Sequence, residues 1–211
     1  MKMNTETIQK LLDSIYDNVL TGLPGAETVY ELADEYLKDN GHNPELAANS
    51  LIKWQMGKCG ISGFLSGLGG LITLPLAIPA DLAATWYVQM RMAAAIAHMN
   101  GYDVKSDQVK TFVYACLVGD GIKDLLKGSG VVIGKQLTKQ AIKAISREMV
   151  VKVNRAVGFR LVTKFGERGA VNLVKMVPVA GGIVSAGFNT YYCLKVGDAA
   201  VFCFEDKSQA A

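Results

Sequence analysis

The nearest approach to a phosphate-binding loop in this 211-residue chain is Gly128-Ser129-Gly130 followed by Gly134-Lys135-Gln136. A P-loop needs four residues between its first glycine and the Gly-Lys pair, then a Ser or Thr for the metal ion. Gly130 leaves only three residues before Gly134, and Gln136 follows the lysine, so the nucleotide chemistry of that loop is not expected. Carboxylates could perform acid-base hydrolysis if Asp81, Asp120 or Asp124 converged in space, although no motif marks them. His42 and His98 are the only imidazoles, little for either a triad or a zinc site, and neither a Gly-x-Ser-x-Gly elbow nor a His-Glu-x-x-His pair occurs. Cys59, Cys116, Cys193 and Cys203 lack the spacing of a metal knuckle or a disulfide framework and read as small buried hydrophobes. No catalytic residue, metal or cofactor is therefore assigned.

The residues that remain chemically interesting are polar groups inside apolar surroundings, and cations in rows. Asp81 follows Pro79 and predicts an N-cap or first-turn acid of a helix running to Met99. Arg91 is the one Lys or Arg between Lys58 and Lys105; it reads either as a snorkelling side chain or as a partner for Asp81 or an acidic ligand. His98, in the last turn of the same helix, is favoured there by the helix dipole. Asn189 interrupts a run of 19 uncharged residues, 176–194, and a buried amide must find hydrogen-bond partners; ligand contact is its alternative reading. Asp198 is a second anchor of this kind.

Stepping by four, Lys135, Lys139, Lys143 and Arg147 predict one face of a long helix continued by Lys152, Arg155, Arg160 and Lys164. That face suits solvent or an anionic lipid surface. Residues 121–180 carry 12 Lys and Arg against 3 acids, whereas residues 1–50 carry 3 Lys against 9 acids. Such asymmetry fits a membrane surface, a nucleic acid, or attraction between the two halves. Without aromatic interleaving or a DNA-binding signature, nucleic acid is not the expected partner.

Half the residues are hydrophobic, 19% are charged and the mean hydropathy is +0.22, which excludes a disordered chain. Ile8, Leu11, Leu12, Ile15, Tyr16, Val19 and Leu20 share one helical face; Val29, Leu32, Ala33, Tyr36 and Leu37 form a second, closed by Asn40-Gly41; Asn43-Pro44-Glu45 opens a third. Residues 59–80 are 22 uncharged residues in a row, enough in one helix for a bilayer, but Pro75 and Pro79 break it and favour a re-entrant or buried hairpin. Gly60, Gly63, Gly67 and Gly70 recur at three- and four-residue steps, and Gly181, Gly182 and Gly187 thin the later block, so both allow close helix packing. The expectation is an all-α single bundle with two glycine-rich apolar blocks and a long basic amphipathic helix. An acidic segment, residues 1–50, would pack on a main domain of 51–211.

The chain resembles the EcsC family. The likeness rests on Ser62-Gly63-Phe64 through Gly69-Gly70, Leu74-Pro75, Ile78-Pro79-Ala80-Asp81-Leu82 and the Ala97 to Gly101-Tyr102-Asp103 helix end. It continues in Val177-Pro178-Val179-Ala180-Gly181-Gly182, Asn189 and Val196-Gly197-Asp198-Ala199-Ala200, and spans about residues 25–208. The resemblance implies a helical bacterial protein associated with membranes, and it brings no established catalytic residues. With no leader pattern in the first twenty residues, the expected place is the cytoplasmic face of a membrane, peripheral or partly inserted. The expected activity is non-enzymatic binding of membrane lipid or of a membrane protein, with self-association open. A soluble bundle holding an apolar ligand and a carboxylate hydrolase are the alternatives.

Overall fold

The computed structural model describes residues 4–59, 80–133, 137–165 and 183–205. Among them the chain forms nine α-helices and no strand. Three helices come first, the amphipathic α1 (Thr5–Thr21) and α2 (Val29–Asp39), then α3 (Pro44–Cys59). Their ends follow local chemistry. Asn4 caps α1 by accepting from the Thr7 amide at 2.8 Å. Thr28 and Glu31 form a reciprocal capping box on α2, and Asn43 accepts from the Leu46 amide at 3.1 Å at the start of α3. Gly22 and Gly41 sit at φ +79° and +65°, the left-handed region that glycine enters without penalty as a helix stops.

The fourth helix, α4 (Ala80–Met99), is the axis of the fold. It packs against α1, α2, α3, α5 (Asp107–Cys116) and α9 (Ile183–Phe204). A helix covered on so many sides must be apolar around its circumference, and Ala83, Ala84, Trp86, Met90, Met92 and Ala93 through Ala97 are all buried. The many alanines let the neighbours approach while Trp86 and the methionines fill the gaps between them. Tyr16 of α1 donates to the Val104 carbonyl at 2.7 Å, tying α1 to the segment that leads into α5. Tyr114 of α5 donates to Asp13 at 2.8 Å, and Lys110 lies 2.7 Å from the same carboxylate. Burial, reinforced by the charge of Asp13, pushes the Tyr114 phenol far above its ordinary pKa and keeps it a donor.

Beyond α5 the chain does not continue as one helix. It turns at Leu117 and Val118, makes a 3₁₀ turn (Gly119–Gly121), then α6 (Ile122–Gly128). Gly119 has φ +69°, and a Cβ there would lie 3.3 Å from Lys195 Cβ of α9, so glycine serves both the turn and a close helix contact. The long basic helix is present, but it starts at Arg147. A five-residue α7 (Lys139–Lys143) precedes α8 (Arg147–Phe165), with Ala144, Ile145 and Ser146 between them. The break has a local cause: Ser146 caps α8 through the Met149 amide at 3.3 Å, and Ile145 is buried.

All these helices share one hydrophobic core. The boundary expected at residue 50 lies inside α3, and α1 to α3 pack on α4 as integral walls of the bundle. Cys116, Cys193 and Cys203 are fully buried, as small hydrophobes should be. No described helix is long and apolar enough to cross a membrane.

Helices α9 and α3 also pack closely. A Cβ on Gly197 would stand 2.8 Å from Ile52 Cγ1 and 3.0 Å from two further Ile52 carbons. Those atoms belong to the branch of the side chain and cannot swing clear. Gly197→Val is therefore expected to cost about 1–3 kcal/mol by overpacking, more than the few tenths by which valine improves on glycine as a helix former. Urea unfolding measures the loss, and Ile52→Ala in the same chain should cost less in the Gly197→Val background than in the wild type.

Candidate functional site

Helix α8 carries five of the chain's cations, Arg147, Lys152, Arg155, Arg160 and Lys164, against one acid, Glu148. Its inner face is built from Val153, Val157 and Leu161, all fully buried, and it packs against α1, α5 and α6. Gly158 lets it approach α1 closely, since a Cβ there would clash with Thr5 Cγ2 at 2.6 Å. The inner face thereby fixes which residues point out. Arg147, Val151, Lys152, Arg155 and Phe159 are exposed, Val151 by 60% and Phe159 by 62%. At about 100° per residue these five fall in an arc of about 140°. The outer face thus combines cations with two large apolar side chains left in water.

The acids of the N-terminal helices do not neutralise this face. Asp13 pairs with Lys110, Glu27 with Arg91 at 3.2 Å, Asp34 with His98 at 3.8 Å, and Glu6 with Lys10 inside α1. Among the described residues no ion pair joins residues 1–50 to residues 121–165, although α1 packs on α8. Glu6 and Asp13 of α1 nevertheless line a shared cleft with Val151 and Arg155 of α8.

Of the four cations at four-residue steps, the three described, Lys139, Lys143 and Arg147, are divided between two helices. Lys135 lies outside the described residues. The Lys139 ammonium lies 5.2 Å from the centroid of the Tyr102 ring and packs against Gly101. Lys143 and Arg147 are exposed, but on separate helices.

A second feature lies beside the C-terminal half of α8, where α8, the 3₁₀ turn and α9 enclose a cleft of about 360 Å³. Arg160 and Lys164 enter it from α8, Tyr191, Tyr192 and Lys195 from α9, and Asp120 from the turn. Lys195 Nζ is 3.2 Å from Asp120 Oδ1, and the Tyr191 hydroxyl donates to Asp120 Oδ2 at 3.3 Å. The hydrogen bond and charge of Asp120 raise the Lys195 pKa. Lys164 Nζ lies 3.7 Å from the Tyr192 ring centroid, and burial lowers its pKa while Asp120 opposes that effect. Tyr192 anchors the wall by donating to the Leu117 carbonyl. Gly121 completes it: a Cβ there would sit 3.5 Å from Arg160 Nη1, so the guanidinium lies against the bare backbone.

The other singled-out residues do not gather at either feature. Arg91 donates to the Glu27 carbonyl at 2.9 Å and pairs with its carboxylate. Asp81, one of the alternatives for Arg91, lies ten residues away, roughly 15 Å along the same helix. Asp81 does fall in the first turn of α4, but its side chain lies outside the described residues. His98 is half-buried, with its ring edge-on to Tyr30 at 5.1 Å. Asp198 is a correction: it is 56% exposed and 3.7 Å from Lys195, a surface group rather than a buried anchor. Asp124 is exposed and does not join Asp120 in the cleft lining. Gly187 and Asn189 are placed in α9, but the surroundings of the Asn189 side chain are outside the description. Gly60, Gly63, Gly67, Gly70, Pro75, Pro79, Gly181 and Gly182 lie outside the described residues altogether.

Sequence reasoning passed over Gln89. It is fully buried in α4, and neither atom of its amide finds a hydrogen-bond partner among the described residues. The signal was the one used for Asn189, a lone amide in an apolar run.

The described helices make an all-α bundle with two cation-rich surface features, the outer face of α8 and the cleft beside α9. Residues 4–206 match the model of the EcsC protein family. The chain belongs to the EcsC family. No curated protein and no solved structure matches it.

Proposed function

We propose that this chain is a peripheral membrane-binding protein that docks on an anionic, cytoplasmic leaflet through the outer face of α8. One observation carries the reading: Arg147, Lys152 and Arg155 make no ion pair among the described residues and share an exposed face with Val151 and Phe159. Exposed apolar side chains cost nothing once they enter the boundary between headgroups and acyl chains. Each cation near an anionic surface adds about 1 kcal/mol of attraction within a Debye length. The reaction class is accordingly binding rather than turnover.

The test is cosedimentation of the purified chain with vesicles of phosphatidylglycerol and phosphatidylcholine, against phosphatidylcholine alone, at low and high salt. Binding to the anionic vesicles that weakens as salt rises is the expected result. Equal binding to both, or to neither, overturns it.

A further inference from the structure

We infer that the cleft between α8, the 3₁₀ turn and α9 is a binding site for a single phosphate group, with Arg160, Lys164 and Lys195 as its donors. This goes beyond the membrane reading and stands on different residues, since the docking face of α8 uses Arg147, Lys152 and Arg155.

The first support is the charge of the lining. Among the described residues that line the cleft, three cations face one carboxylate, Asp120. Asp120 already has company, from Lys195 at 3.2 Å and the Tyr191 hydroxyl at 3.3 Å. Asp198 lies 3.7 Å from Lys195 but is not part of the lining. Arg160 has no ion-pair partner among the described residues. Its Nη1 lies 3.5 Å from where a Cβ on Gly121 would stand, at the wall of the cleft.

The second support is the shape of the donor set. A guanidinium offers a planar fork, and the ammonium groups offer point charges with rotating donors. Arg160 and Lys164 come from α8, one turn apart, and Lys195 comes from the other wall. Donors that approach from two walls can share the three terminal oxygens of a phosphate monoester, whereas a planar carboxylate with two oxygens satisfies one fork. The cavity, about 360 Å³, has room for the phosphate and part of what it esterifies. Partial desolvation of the Lys164 ammonium, with Tyr192 beneath it, strengthens its attraction for an entering anion.

The role of Asp120 is to hold Lys195 and to compete with the ligand for it. This gives the proposal a signature that a purely structural cluster lacks, because two substitutions in one cleft should act with opposite sign.

The phosphate can come from a soluble ester or from a lipid headgroup, and both are probed. Glycerol 3-phosphate is titrated into the purified chain and followed by calorimetry. In parallel, vesicles of phosphatidic acid in phosphatidylcholine are compared with phosphatidylglycerol vesicles of equal surface charge. The expected result is saturable binding of the soluble ester, or a preference for phosphatidic acid, weakened at least about tenfold by Arg160→Gln, a loss of about 1.4 kcal/mol. Asp120→Asn should strengthen the same binding. Saturation by the ester identifies a soluble ligand class; preference for phosphatidic acid alone identifies a headgroup. Absence of both, or weakening by both substitutions alike, overturns the proposal. Arg147→Gln, Lys152→Gln and Arg155→Gln in one chain should leave ester binding intact. Failure of the membrane reading is thereby read separately from failure of the cleft.

Discussion

Replacing Arg147, Lys152 and Arg155 together by Gln is expected to lower affinity for phosphatidylglycerol vesicles on the order of 100-fold. The three cations contribute about 3 kcal/mol at about 1 kcal/mol each near an anionic leaflet, and 1.4 kcal/mol is a factor of ten. All three are exposed on α8 and outside the ion pairs of the described residues, so the fold should lose little. Solvent-facing substitutions of this kind stay within about 0.5 kcal/mol of stability. A companion variant, Val151→Ser with Phe159→Ser, should weaken binding even at high salt, because it removes buried apolar area and no charge. Unchanged vesicle binding in the triple variant would show that electrostatics at this face do not hold the protein to lipid.

The other large effect belongs to the core. Trp86 is fully buried on α4, where helices from both ends of the chain converge. Trp86→Ala removes a fully buried indole from the helix on which α1, α2, α3, α5 and α9 all pack, and leaves a void in the shared core. The expected cost is about 3–5 kcal/mol, a large share of the 5–15 kcal/mol typical of a native domain. For a chain of this length, that lowers Tm by roughly 6–20 °C. Calorimetry measures it, and Trp86→Phe, which keeps most of the filling, should lose less. A loss below about 1 kcal/mol would mean that α4 is not packed as described.

The core was the most legible part of the sequence. Ile8, Leu11, Leu12, Ile15, Tyr16 and Val19 recur at the helical period and are all buried, because a one-sided helix has only one way to hide them. Asn40-Gly41 and Asn43-Pro44 marked the joint between α2 and α3 correctly, since φ above zero and a missing amide donor are properties of the residues themselves. The basic stripe misled for an equally physical reason. Four-residue spacing of lysines is compatible with a helix but does not require one, and Thr138 and Ser146 cap two separate helices within that stretch. Their hydroxyls look no different from solvent-facing ones until the backbone they bond is known.

The cleft was hidden more deeply. Asp120, Arg160 and Lys195 are 40 and 35 residues apart in sequence, and only the packing of α9 against the 3₁₀ turn brings them together. Asp120 entered the sequence reading as one hydrolase carboxylate among three. Arg160 entered it as one cation in a row, without a sign of the turn it would face.

The position of α4 also sets the order in which a growing chain can be finished. Its covering comes from α1, α2 and α3 on one side of the sequence and from α5 and α9 on the other. Once Met99 has been synthesised, 105 further residues must follow before Phe204 completes α9. At about 5–20 residues per second that interval is roughly 5–20 s. Throughout it, the part of α4 that α9 will cover has no native partner and stays open to non-native apolar contacts.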